Sequence, residues 1–215
     1  MIEKARKTGE RINDGQIGLW VYQIACALAY LHGHNVLHRD LKGDNVFLSK
    51  NNAKLADFGL AKAGATSGQA GAYVAALVLA ACSMRRRCAL DKPPNLHGVC
   101  AMRRYAYESP EQARGLKYDG RNDVWALGCL LTELLTLRFV TERGTGAIAL
   151  DHTIVRTMVE ETCAIHPELG GWARRMLEMD PQRRPSAQQL VRAWVVAVGV
   201  LVVRAHLQRC DRLMS

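Results

Sequence analysis

An eight-residue motif, from His38 to Asn45, constrains this chain more than any other feature of its sequence. It reads H-R-D-L-K-G-D-N and matches the pattern H-R-D-L-x-x-x-N at every fixed position. Five fixed positions at about one in twenty each give on the order of three chance matches in ten million starting points. The tripeptide Asp57-Phe58-Gly59 begins twelve residues after Asn45. A lone D-F-G is a weak signal, but at this distance behind the first motif it is a strong one.

The flanking sequence predicts a long helix before the motif and a β-hairpin after it. Asn13 and Gln16 have the spacing of a capping box. An apolar stripe at steps of three and four follows them as far as Gly33, which predicts the C-terminal stop of the helix. Short β-prone runs, the last two separated by a turn-rich stretch, lie at residues 36–37, 46–48 and 53–55.

Helices are predicted for most of the remaining chain. Ser109 as the cap, Pro110 at the first helical position and Glu111 in the first turn indicate a helix start. Ser186 and Gln189 have the spacing of a second capping box. Apolar periodicity predicts further helices at about residues 123–137, 148–160 and 172–179. The sequence therefore predicts a mostly helical domain with a small β-hairpin near its start.

Together these motifs resemble the eukaryotic-type serine/threonine protein kinases. The triplet at residues 109–111 is similar to the family's A-P-E, with Ser in place of Ala. Residues 123–128 resemble its buried central helix, and Arg184 with the following Pro and Ser resembles the segment whose arginine pairs with the A-P-E glutamate. Lys42, two residues after Asp40, is the mark of the serine/threonine branch.

The resemblance covers residues 1–192 and implies a kinase-like fold, of which the chain holds the mainly α-helical C-terminal lobe. A short β-hairpin would carry the catalytic and metal loops. The sequence of residues 45–48 and 123–129 is similar to that of NIMA-related kinases. Residues 68–103 are expected to be an atypical insert in the activation segment, and residues 193–215 an apolar tail whose status the sequence leaves open. The pattern G-x-G-x-x-G does not occur, so we expect the N-terminal lobe to be absent.

The family's activity implies transfer of the γ-phosphate of ATP to Ser or Thr hydroxyls of protein substrates. Asp40 would then orient the hydroxyl and accept its proton, and Lys42 would place a positive charge beside the γ-phosphate. Asn45 and Asp57 would supply oxygen ligands to Mg²⁺ and, with Lys42, bind ATP. Gly59 would let the chain turn sharply after the metal ligand.

Other matched residues are expected to be structural. Asp123 would receive backbone N–H groups of the catalytic loop. Glu111 and Arg184 would form a buried ion pair. His38 and Phe58 would stack in the hydrophobic column that joins the two lobes of a kinase.

The activation segment departs from the family pattern. Arg39 would be the receptor for a phosphate on this segment, through charge-assisted hydrogen bonds. Candidate acceptors of that phosphate are Thr66, Ser67 and Ser83. From Asp57 to Glu111 there are 54 positions, which is longer than the family norm. Arg103 and Arg104 stand where the family usually has Gly-Thr.

Composition argues against several other classes of function. The formal net charge is +9, and residues 85–104 hold six basic residues, one acidic residue and no aromatic residue. This predicts a solvated basic loop rather than a specific nucleic-acid surface. The spacing C-x5-C-x8-H-x2-C of Cys82, Cys88, His97 and Cys100 matches no common zinc finger. The apolar run 193–203 is 11 residues long, whereas a bilayer span needs about 20, so no membrane partner is expected.

Seven cysteines, an odd number, and a charged N-terminal segment predict an intracellular, cytoplasmic location. Two alternatives to an enzyme stay open: a catalytically inactive kinase-lobe binding module, or an incomplete gene product. The intact set of Asp40, Lys42, Asn45 and Asp57 favours an enzyme, since a scaffold has no need of all four. Because the lysine–glutamate pair of the N-terminal lobe is needed for activity in this family, we expect negligible activity from these residues alone.

Overall fold

The computed structural model describes residues 2–49, 52–57, 62–63, 105–143 and 148–195, and helices make up most of this described part of the chain. The helices are α1 (Ile2–Thr8), α2 (Asp14–Gly33), α3 (Pro110–Ala113), α4 (Arg121–Thr136), α5 (His152–Ile165), α6 (Pro167–Met176) and α7 (residues 187–195). The strands are β1 (Val36–Leu37), β2 (Val46–Ser49), β3 (Asn52–Leu55) and β4 (Lys62–Ala63). Short 3₁₀ helices lie at Gly43–Asn45, Val140–Glu142 and Ile148–Leu150. The predicted mainly helical fold with a small hairpin is confirmed.

Helix α4 lies at the centre of the fold. Its residues from Asn122 to Leu135 are all buried, and the Trp125 side chain is 0% exposed. A helix that is buried on every side has to be covered by other elements. Helices α2, α5 and α6 pack around it, so α4 is the frame on which the rest of the domain is positioned.

Helix α2 begins and ends with hydrogen-bonded caps. The Asn13 side chain accepts a hydrogen bond from the Gln16 N–H at 3.2 Å, which confirms the predicted N-terminus. The predicted stop at Gly33 is wrong in detail. Gly33 is still helical, and the left-handed residue after the helix is Asn35, with φ of 58°. Asn tolerates this conformation better than most residues.

The strands position the two predicted functional segments. Strands β2 and β3 form the expected antiparallel hairpin, with Val46 opposite Leu55. Strand β1 pairs with β4, a pairing that the sequence did not predict. Residues 38–45 therefore lie between β1 and β2, and one residue, Ala56, separates the end of β3 from Asp57.

Other boundaries differ from prediction. Helix α6 begins at Pro167, five residues before the expected start, because Pro is favoured at the first helical position. Helix α1 was not predicted. Helix α7 continues beyond residue 192, and its buried Trp194 packs on Trp172 with ring centroids 4.7 Å apart. Both hydrogen bonds of the Ser186–Gln189 capping box are present.

Several predictions concern residues outside the described part of the chain. They are the insert at 68–103 with its zinc candidates, the tail beyond 195, Phe58, Gly59, Thr66, Ser67 and Ser83. Within the described residues, none of the helices combines the length and the apolar character needed to cross a membrane.

A buried ion pair connects α3 to the segment before α7. Arg184 Nη1 donates to Glu111 Oε1 at 2.7 Å, and Nη2 donates to Oε2 at 3.1 Å. Arg184 also donates to the carbonyls of Arg121 and Glu178, at 2.9 and 3.0 Å. Burial raises the pKa of the Glu111 carboxyl, but the hydrogen bonds and charge of Arg184 outweigh burial and hold the pKa below its usual range.

Replacing Arg184 with Met should destabilise the domain strongly. The substitution leaves the Glu111 carboxylate buried without its cation, which typically costs about 3–5 kcal/mol. Urea denaturation followed by circular dichroism measures the change in free energy of unfolding. The neighbouring Arg183→Met is the control, because the Arg183 side chain is 73% exposed and its loss should cost less than about 1 kcal/mol. Equal effects of the two substitutions would contradict the assigned burial of the pair.

Two adjacent glycines in α6 should respond in opposite directions to alanine. A Cβ atom on Gly170 would lie 2.6 Å from the Cys163 Cα, whereas one on Gly171 would meet nothing within 4 Å. Gly170→Ala should therefore cost about 1–3 kcal/mol through overpacking. Gly171→Ala should stabilise the helix by up to about 1 kcal/mol. Thermal unfolding of the two variants checks the sign of each change.

Candidate active site

The carboxylate of Asp123, in the first turn of α4, holds the segment that follows β1. Asp123 Oδ2 accepts the backbone N–H of His38 and Oδ1 accepts that of Arg39, both at 2.9 Å. The Asp123 residue is 1% exposed. The imidazole Nε2 of His32, from the end of α2, lies 2.8 Å from Asp123 Oδ2. The contacts to residues 38 and 39 are those expected for Asp123, whereas the contact with His32 was not predicted.

The buried His38 ring connects the loop to the end of the hairpin. Its Nε2 lies 3.1 Å from the Ala56 carbonyl oxygen, and its Nδ1 accepts the Asp40 N–H at 3.3 Å. Because a carbonyl can only accept, Nε2 carries the hydrogen. Because Nδ1 accepts the Asp40 N–H, it carries none, and the ring is neutral. Burial lowers the pKa of His38 and outweighs the opposing charges of Asp123, Asp40 and Asp57.

Three of the predicted site residues form one hydrogen-bonded cluster. Lys42 Nζ lies 3.2 and 3.1 Å from the two carboxylate oxygens of Asp40. Asn45 Nδ2 donates to the Asp40 carbonyl at 2.6 Å and to Asp40 Oδ2 at 3.0 Å. The Lys42 and Asp40 side chains are 13% and 9% exposed. Because these contacts involve both oxygens of Asp40, its carboxylate has a defined orientation.

Asp57 comes to the same side of the domain through β3. The Ala56 N–H donates to the Asn45 carbonyl at 2.9 Å, which fixes the chain just before Asp57. Asp57 and Arg39 both have left-handed backbones, with φ of 64° and 66°. Such conformations cost on the order of 1–3 kcal/mol for residues other than glycine and persist where surrounding contacts enforce them. For Arg39 one enforcing contact is the hydrogen bond from its N–H to Asp123.

The donor set fits a magnesium ion better than a transition metal. The Asn45 amide is planar and its Nδ2 faces Asp40, so Oδ1 points away from that carboxylate. With the Asp57 carboxylate it would supply oxygen ligands of the kind that Mg²⁺ prefers, and phosphates and water would provide the others. Among the described residues, no group of three or more His, Cys, Asp or Glu side chains could hold a metal ion. An amide oxygen and a carboxylate would fit a cation that completes its shell with phosphate and water oxygens.

The Arg39 side chain packs against a tyrosine near α4. Its guanidinium carbon lies 5.5 Å from the centroid of the Tyr118 ring, a distance typical of a cation–π contact. The Arg39 Nε is buried and makes no hydrogen bond in the part of the chain that the structure describes. The expected phosphate acceptors lie outside that part, so the proposed receptor role of Arg39 stays a prediction.

A second buried network supports the loop and was missed in the sequence. The Tyr107 hydroxyl donates to Glu133 Oε2 at 2.5 Å, and Glu133 Oε1 accepts the Val140 N–H at 2.8 Å. The backbone of Gly43 also hydrogen-bonds the Tyr107 hydroxyl. Burial, followed by the Glu133 charge, raises the pKa of Tyr107 well above its usual range. Because these partners are far apart in sequence, no local pattern could have revealed the network.

A groove lies beside this cluster. It has a volume of about 460 Å³ and is lined by Lys42, by aromatic side chains and by acidic side chains. The aromatic and acidic members include Trp20, Phe47, Phe139, Asp44 and Glu133. The groove therefore places a partly apolar surface next to Lys42.

Comparison with known proteins identifies the family of the chain. The protein kinase domain family matches residues 2–195, which is most of the sequence. The relatives found include serine/threonine-protein kinase Nek5 of mouse, 30% identical over 193 residues, which cover 87% of this chain and 26% of that protein.

Two further relatives agree with this match. Serine/threonine-protein kinase Nek9 of Xenopus laevis is 31% identical over 187 residues, covering 80% of this chain and 16% of that protein. Serine/threonine-protein kinase Nek4 of mouse is 31% identical over 186 residues, covering 86% and 20%. The chain spans about a quarter or less of the length of these curated relatives. The resemblance drawn from the motifs is confirmed: the chain belongs to the protein kinase domain family, and its relatives include NIMA-related serine/threonine kinases.

Proposed function

We propose that the chain is part of a serine/threonine protein kinase that transfers the γ-phosphate of ATP to Ser or Thr hydroxyls of protein substrates. The observation that carries this proposal is the cluster of Asp40, Lys42 and Asn45, which is anchored to the central helix through Asp123. A carboxylate, an ammonium group and a carboxamide at these distances match what phosphoryl transfer requires, since its catalysis is mainly positioning and charge neutralisation.

Asp40 and Lys42 have complementary roles in the proposed reaction. The substrate hydroxyl would donate a hydrogen bond to an Asp40 oxygen, which orients the hydroxyl oxygen towards the γ-phosphorus. As the new O–P bond forms and the bond to ADP breaks, the hydroxyl proton passes to Asp40. Lys42 would turn from Asp40 towards the γ-phosphate oxygens and neutralise part of their charge. Asn45, which donates to two Asp40 oxygens, would keep the base in place while Lys42 moves.

Asn45 and Asp57 are proposed as the protein ligands of Mg²⁺. When bound, this ion neutralises phosphate charge. The protein's contribution is to hold the Asn45 amide with Nδ2 towards Asp40, so that Oδ1 would be available to the ion. The hydrogen bond between the Ala56 N–H and the Asn45 carbonyl keeps the Asp57 segment beside Asn45.

The proposal assigns residues 1–192 to the C-terminal lobe, residues 68–103 to an insert of the activation segment and residues 193–215 to a tail. Because no G-x-G-x-x-G pattern occurs in the sequence, these residues are proposed not to include the phosphate-covering N-terminal lobe. The groove beside Lys42 is the proposed path of a protein substrate.

ATP and protein are the expected partners, without specific nucleic acid or membrane. The described cysteines Cys26, Cys129 and Cys163 are free thiols, in keeping with the proposed cytoplasmic location.

Replacing Asp40 with Asn should abolish phosphoryl transfer. We expect the chain alone to transfer phosphate negligibly, and the chain joined to the N-terminal lobe of a related kinase to transfer it to a generic protein substrate. In the joined protein Asp40→Asn should lower kcat by at least about 100-fold, since the base is lost. Radiolabelled Mg²⁺-ATP measures the transfer.

Glu160→Gln is the control for Asp40→Asn, because this α5 side chain is 64% exposed and lies outside the cluster. Undiminished transfer by the Asp40→Asn variant would contradict the assigned base. If the joined protein stayed inactive even with residues 68–103 removed, the binding-module alternative would replace the kinase proposal.

Replacing Asp57 with Asn should weaken the magnesium site. Removing one charged ligand should raise the Mg²⁺ concentration needed for half-maximal transfer by about tenfold or more. A second readout needs no activity: in the presence of ATP, Mn²⁺ should broaden the NMR signals of the Asn45 side chain and the Ala56 amide in the wild-type protein. The Asp57→Asn variant should need more Mn²⁺ for the same broadening. Identical Mn²⁺ titrations would contradict the role of Asp57.

A further inference from the structure

The His32 imidazole is partly buried at the end of α2 and has no part in the proposed chemistry. Its side chain is 9% exposed, and its Nε2 lies 2.8 Å from Asp123 Oδ2. Because a carboxylate only accepts hydrogen bonds, Nε2 carries the hydrogen and donates it. The same carboxylate accepts the backbone N–H groups of His38 and Arg39. Asp123 is thus held by three donors on two oxygens.

The three hydrogen-bond donors to Asp123 differ in whether they can fix the orientation of its carboxylate. Two belong to the loop that Asp123 holds, so they would follow the carboxylate if it rotated. His32 belongs to α2, a 20-residue helix that packs on α4 and whose Leu28 is fully buried. Among the described residues, His32 is therefore the side-chain partner that ties the orientation of Asp123 to a rigid element outside the loop.

Gly120, the residue before α4, lies directly against the His32 ring. A Cβ atom at this position would lie 2.5 Å from His32 Nδ1 and 2.7 Å from Cγ and Cε1. The Gly120 backbone is in the right-handed helical region, with φ of −61° and ψ of −15°, which any residue can adopt. The backbone conformation of Gly120 does not require glycine, but the close approach of the His32 ring leaves no room for a Cβ atom.

We propose that His32, seated against Gly120, is a positioning residue for the catalytic loop: it sets the orientation of the Asp123 carboxylate and thereby the backbone from His38 to Asp40. The consequence for phosphoryl transfer rests on the proposed function, whereas the effect on the loop does not. An ordinary core hydrogen bond would stabilise the whole domain evenly. A positioning residue acts on the His38 and Arg39 amides in particular.

Amide hydrogen exchange of the 215-residue chain tests the effect on the loop directly. His32→Leu removes the donor and should raise the exchange rates of the His38 and Arg39 amides by about tenfold or more, relative to the amide of Leu127 in α4. His32→Gln should restore most of the protection, because its terminal amide can donate from a similar position. His34→Leu is the matched control, since His34 is exposed near the same helix end and its Nδ1 lies 2.8 Å from the Tyr30 carbonyl oxygen of the same helix.

Gly120→Ala tests the contact between Gly120 and the His32 ring without removing the hydrogen-bond donor. In the wild-type background the new methyl group should displace the imidazole and raise the exchange rates of the same two amides. In a His32→Ala background the space is free, so Gly120→Ala should cause no further increase. Independent, additive effects of the two substitutions would overturn the assigned contact.

Kinetics of the chain joined to an N-terminal lobe test the catalytic consequence. His32→Leu should lower kcat about tenfold or more, leave the KM for the protein substrate nearly unchanged, and be rescued by His32→Gln. Unchanged exchange at residues 38 and 39 in His32→Leu, or a rise shared equally by Leu127, would overturn the positioning role. Absence of transfer by the joined wild-type protein would overturn the kinase proposal instead, while the exchange data still decide the role of His32 in the loop.

Discussion

The Asp123 carboxylate is the contact on which the candidate site depends. It projects from the most deeply buried helix of the fold and accepts the N–H groups of His38 and Arg39. The strained backbone of Arg39 is maintained because one of these hydrogen bonds ends on its amide. A core helix buried on all sides cannot shift without disturbing the packing of its neighbours. The loop therefore takes its precision from the hydrophobic core rather than from its own short-range contacts.

The cluster attached to this anchor is closed in the structure described. Lys42 contacts both oxygens of Asp40, and Asn45 contacts one of them from another direction. The positive and negative groups of the site thus neutralise one another. In the proposed reaction a bound phosphate would compete with Asp40 for Lys42, so that nucleotide binding and exposure of the proposed base would be coupled. The contact between Lys42 and Asp40 also keeps the Asp40 carboxylate, which is only 9% exposed, in one orientation.

Local signals in the sequence predicted the structural features whose residues are close together along the chain. The caps at Asn13, Ser109 and Ser186 form as expected, because a capping side chain needs a partner only three residues away. The hairpin and the Glu111–Arg184 pair were also predicted, the latter through its resemblance to a family. His32, Gly120 and the Tyr107–Glu133 pair were not, since their partners are brought close by the packing of α2 and α4. The start of α6 was missed for another reason, because the prediction followed apolar periodicity and did not use the local signal of Pro167 at the first helical position.

The separation of Glu111 and Arg184 by 73 positions has a consequence for the nascent chain. During synthesis the segment with the Ser109 cap leaves the ribosome well before Arg184 does. Until then, docking of α3 would bury a carboxylate without its cation, which is strongly unfavourable. Asp123 emerges much earlier, so the loop at residues 38–45 can reach its anchor first. Vectorial synthesis would thus make the Asp123 anchor of the loop available before the cation that the docking of α3 requires.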